Sequence, residues 1–157
     1  MTRHNFYLER MNNMDNNLSF KESLLNLLAE NQKRENELTA SLYDVMRLQP
    51  FAAKYDAQTL EMINKLSADA VNKLVNISHF DVDQKSASTK IDKLATEFLN
   101  AWLAAMYKNG MSDSDKAEAE VTLSIMTTAF HTYYKNVALM TATNMMIGEY
   151  IDRMEEG

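Results

Sequence analysis

Cysteine is absent from this 157-residue chain, and turn formers are scarce, with three glycines and one proline. Without cysteine there is no disulfide framework, no thiolate nucleophile and no thiolate metal site. So few glycines and prolines disfavour a β fold, which needs many turns, and leave long stretches in which nothing breaks a helix. Also missing is an uninterrupted apolar run. The N-terminus has no apolar signal core, and the charge-poor stretch near the C-terminus is broken by Ser, Thr, Asn, His and Lys. Basic excess is lacking as well: the net charge is −6, and Arg3 to Lys54 carries seven charges of each sign, so the surplus acid lies from Asp56 onward. A nucleic-acid footprint would need the opposite balance. These absences lead to an expectation of a soluble, cytoplasmic protein with no cofactor and neither nucleic acid nor membrane as partner. A polar N-terminus would also suit export through a specialised secretion apparatus.

What is present is a long apolar repeat in the last third. Steps of four and three from Ala119 land on Leu123, Met126, Phe130, Tyr133, Val137, Met140, Asn144, Ile147, Ile151 and Met154. A spacing that averages 3.5 residues keeps one stripe of a helix facing its neighbours turn after turn. Asn144 falls at an a position, where a lone Asn sets register or oligomeric state because its amide needs a partner inside the seam. A second apolar line, Ile125, Ala138, Leu139, Met145 and Met146, runs down the far side. The positions beside the seam carry Thr, Ala, Tyr, Asn and Gly rather than the Glu and Lys of a free two-stranded coil. A helix apolar on nearly all sides is expected to be buried on nearly all sides.

Residues 1–18 are Asn-rich and without periodicity, and read as a flexible arm; residues 19–157 read as one helical-bundle domain of a size that buries its own core. Ser19 with Glu22 matches a capping box for a first helix from Phe20 to about Leu48, carried through the polar run 30–37 and stopped by Pro50. Whether that run interrupts the helix is open. Asp56 is placed to cap a second helix to about Ile77, followed by an acidic loop over residues 78–84. A third helix from about Ser86 to Asn109 carries a wide stripe including Phe98 and Trp102, and turns at Asn109 and Gly110 into an antiparallel last helix capped by Ser112. An unbroken helix from Asp113 to Met154 would be about 60 Å long, whereas a globule of this length is roughly 40 Å across. It must therefore bend, with a break near Lys135 and Asn136, or project. A projecting apolar end would need a second chain to cover it.

Chemistry is read mostly by elimination. No Glu stands three residues before His4, His79 or His131, so the Glu-x-x-His pairs of a di-metal bundle are missing. Asp81 with Asp83 and Asp113 with Asp115 lack the Gly and closing Glu of a calcium loop, and read as solvated loop and helix start. Leu28 to Gln32 (LAENQ) and Trp102 to Tyr107 (WLAAMY) resemble, in pattern, the non-haem globin-like domains of bacterial stressosome scaffolds, over those two patches alone. The expected fold is an all-α bundle of about four long helices, oligomeric, with a globin-like sensor domain as the alternative. The expected function is non-enzymatic and regulatory, exercised by a homodimer and a protein partner of unknown identity, with an oligomer interface at Ile125, His131, Ala138, Leu139, Met145 and Met146. The alternative is a small-molecule or haem sensor with a pocket near His131 and Trp102.

Overall fold

The computed structural model describes residues 14–46, 56–107 and 112–156. They form four helices: α1, Met14–Met46; α2, Ala57–Phe80; α3, Gln84–Met106; and α4, Asp113–Glu156. The fold is an all-α four-helix bundle. Three of its starts follow from side chains that satisfy otherwise unpaired backbone N–H groups. Asp56 accepts from the Thr59 amide at 2.6 Å, and Asp83 accepts from the Lys85 amide at 3.1 Å. At the start of α4 the pairing is reciprocal: the Asp115 amide donates to Ser112 Oγ at 3.2 Å, and the Ser112 amide donates to the Asp115 carboxylate at 3.0 Å.

The first helix begins earlier than its sequence signal implied. It is already helical at Met14, so Ser19 lies inside it and caps nothing; its carbonyl instead accepts from Ser23 Oγ at 3.0 Å. The rest of the expected arm, residues 1–13, lies outside the described residues, as do Pro50 and the Asn109–Gly110 turn. The polar run 30–37 does not interrupt α1. The loop between α2 and α3 is shorter than expected, only residues 81–83, because Ser78, Gln84 and their neighbours continue the helices.

The long helix α4 packs against all three others, while α1 and α3 barely touch. Its 44 residues run unbroken past Lys135 and Asn136, a length of about 66 Å. The seam positions Met126, Phe130, Tyr133, Val137, Ile147 and Ile151 are all buried. Around the first four gathers the main core, with Trp102, Leu74, Ile91 and Ile63 from α2 and α3, and Leu42 and Met46 from the end of α1.

Among the described residues, only α1 and α4 continue beyond the α2–α3 turn. They run antiparallel, with contacts pairing Thr39 with Tyr133, Asn31 with Asn144, and Lys21 with Glu155. The projecting end of α4 is thus covered along its seam by the chain's own first helix. That corrects the expectation that a second chain is needed there. The far line of α4 is uncovered: Ile125, Leu139, Met145 and Met146 are exposed, so burial on nearly all sides does not occur within one chain.

Candidate interaction surface and adjoining groove

The surface is built where the two-helix arm leaves the bundle. Asp81 closes α2 by donating its amide to the Ile77 carbonyl at 2.9 Å, while its carboxylate accepts from Lys90 Nζ at 2.8 Å and Ser86 Oγ at 3.2 Å. The Lys90 hydrogen bond holds the Asp81 carboxyl below the usual carboxylate range, against a smaller opposing effect of desolvation. This acid is therefore a tied corner, where a solvated loop was expected. The buried Tyr134 of α4 donates its hydroxyl to the Asp81 carbonyl at 3.1 Å, and burial pushes its phenol up. The turn is in this way fixed against α4, and one of its residues, Val82, is left 95% exposed.

Between this turn and α4 lies an open groove of about 730 Å³, walled by His79 and Val82 on one side and by His131, Ala138, Leu139 and Met145 on the other. Both histidines are engaged. The His79 ring bonds the Glu35 carboxylate of α1, and His131 Nε2 meets Asp92 Oδ1 of α3 at 2.7 Å. Trp102 does not line this groove; it sits in the main core, 1% exposed. The residues proposed together for a sensor pocket are thus not brought into one cavity here. Among the described residues, no group of three or more His, Asp or Glu is placed to hold a metal ion. Three of the four acids that stand in pairs serve the chain's own turns, Asp83 and Asp115 as caps and Asp81 as the corner.

The expected interface residues divide by position. Leu139, Met145 and Met146 are 69%, 64% and 70% exposed, and flank the exposed Ala142 on one face of α4; Ala138 lies half-buried at the edge of the same face. Ile125 is exposed too, but it stands fourteen residues before Leu139, about 21 Å along the helix, and outside this patch. His131 lines the groove, whose α4 wall also takes in Ala138, Leu139 and Met145.

Asn144 finds its partner inside the protomer: Asn31 Nδ2 donates to Asn144 Oδ1 at 2.8 Å. Asn31 itself is buried. Sequence reasoning missed both Asn31 and Glu35, which it left inside the polar run 30–37. The signal was there, because the apolar stripe of α1, counted in fours and threes from Leu24 and Leu28, passes through Asn31 and Glu35 before reaching Leu38, Leu42 and Val45. Residue polarity concealed the period.

No protein-family model, curated protein or solved structure matches this chain. Among the described residues, no helix is long and apolar enough to cross a membrane.

Proposed function

We propose that this is a non-enzymatic interaction protein, which acts by self-association and by binding a protein partner through its helical surface. The observation that carries the reading is the far face of α4, where Leu139, Met145 and Met146 stand mostly exposed on a helix whose opposite face is already packed. Large contiguous apolar patches on a protein surface mark interaction sites. Homodimers are the commonest closed assemblies, and burying about 800 Å² per partner makes a standard interface.

Light scattering on the unmodified protein tests this, with a dimer mass expected in the micromolar range. Leu139→Glu or Met145→Glu should then give a monomer whose helical circular dichroism is unchanged, since each side chain is exposed within the protomer. Glu120→Lys, on the same helix but away from the patch, should leave the dimer intact. A monomer mass that persists at high micromolar concentration would overturn the self-association reading. Affinity capture from the source cell addresses the partner.

The groove supports a second reading, a small-molecule sensor, since its volume falls in the range of ligand pockets. For a haem ligand, His131 would have to give up Asp92 or use its other ring nitrogen. A Soret band on adding haemin, lost in His131→Ala, would favour the sensor over the interaction protein.

A further inference from the structure

The exposed face of α4 has a symmetry in its sequence. Counting outward from Ala142, the third residue is Leu139 on one side and Met145 on the other; the fourth is Ala138 and Met146; the seventh is Lys135 and Glu149. Steps of three, four and seven return to one side of a helix, so these residues share the face that Ala142 occupies. Ala142, Leu139, Met145, Met146, Lys135 and Glu149 are all exposed. Neither Lys135 nor Glu149 forms an ion pair within the described residues.

From this we infer that two copies of the chain pair antiparallel, α4 against α4, about a two-fold axis passing by Ala142. The inference rests on the self-association reading and specifies its geometry. In an isologous contact each residue meets its counterpart at the same distance across the axis. Leu139 and Ala138 then pack among the partner's Met145 and Met146, and Lys135 faces the partner's Glu149, once at each end of the patch. Apolar residues meet apolar, and opposite charges meet. A parallel pairing would instead set Lys135 against the partner's Lys135 and Glu149 against the partner's Glu149, placing like charges opposite each other.

The small side chain at the axis suits this arrangement, because interaxial distance is set by the residues at the crossing and alanine lets the helices come close. α1 covers the side of α4 opposite this face through Tyr133 and Asn144, and the α2–α3 turn stands along one edge of it, where Lys135, Ala138, Ala142 and Met145 form the α4 wall of the open groove that the partner's helix would enter. The charged ends form a polar rim around the apolar centre, the usual anatomy of an interface between soluble proteins.

The cysteine-free sequence makes the geometry testable by oxidation. Ala142→Cys alone should cross-link to a covalent dimer, since a residue at the axis meets its own copy within disulfide reach. Lys135→Cys alone and Glu149→Cys alone should not cross-link, because like positions then lie fourteen residues apart along the pair, about 21 Å. Mixing those two variants should restore the cross-link. Lys135→Glu should weaken the dimer on the order of tenfold, and adding Glu149→Lys to it should recover the original affinity. Cross-linking of either single variant with itself, and none in the mixture, would overturn the antiparallel geometry while leaving self-association standing. A monomer by light scattering would overturn both.

Discussion

Among the described residues, α4 is held by three neighbouring helices between Met126 and Val137, and by one between Asn144 and Met154. In the first region the seam residues join a core of Trp102, Leu74 and Ile91, all essentially inaccessible. In the second, Ile147 and Ile151 are buried, but the neighbouring contacts are a pair of amides, an edge-to-face contact of Phe20 with Tyr150 at 5.8 Å, and an exposed Lys21–Glu155 bridge of 2.6 Å. The same heptad pattern therefore supports two regions of different strength. Apolar period fixes which side of a helix packs, while the number of neighbours fixes how much surface leaves water and so how much the packing contributes.

The largest test of that contrast compares Phe130→Ala with Ile151→Ala. Phe130 is fully buried in the four-helix region, and its truncation should cost about 3–5 kcal/mol in denaturant unfolding followed by Trp102 fluorescence. The single tryptophan lies in that core, so it reports on this region. Ile151→Ala should move that midpoint less and should speed amide exchange over residues 144–156, because a region with few neighbours opens locally at lower free energy than the whole. Equal losses at both sites would mean that bundle and arm unfold as one unit.

A smaller effect is expected at the amide pair. Asn144→Ala leaves the buried Asn31 without its acceptor, at a cost of about 1–3 kcal/mol. Replacing both with Leu should recover most of that loss, since an apolar pair of similar size needs no hydrogen bond. If the paired amides set the register of α1 on α4, the double-Leu protein will keep its stability but lose the sharp NMR signals of the arm. Unchanged spectra would show that Lys21–Glu155 and the aromatic pair suffice.

The smallest effect is in acid, and it bears on the corner where bundle gives way to arm. The Asp81 carboxyl is held below its ordinary value of 3.8, so its folded form binds a proton less readily than its unfolded form. It contributes stability that is fully present above the ordinary value and is lost as pH falls through the lowered one. Urea midpoints measured from pH 5 down to pH 2.5 should fall less steeply in Asp81→Asn than in the original chain. Parallel curves would mean that Lys90 does not hold this acid in solution.

The sequence alone determined the helical class, because scarce turn formers and apolar spacings of three and four leave no other backbone that buries the stripes. It also determined the starts of α2 and α4, since Asp56 and Ser112 act on amides three residues away and need no distant partner. The start of α1 was misread for the converse reason. Ser19 and Glu22 carry a local capping signature, yet the helix runs through them from Met14. The tertiary structure alone decided what covers the seam of α4. Whether a projecting stripe meets another chain or an earlier segment of its own depends on where that segment goes. The deciding contacts, Asn31 to Asn144 and Lys21 to Glu155, join residues more than a hundred positions apart. Likewise, the far face drew the same apolar reading as the seam, and only the arrangement of the other helices left it exposed. Periodicity records which residues share a side of a helix; what lies against that side is a property of the whole chain.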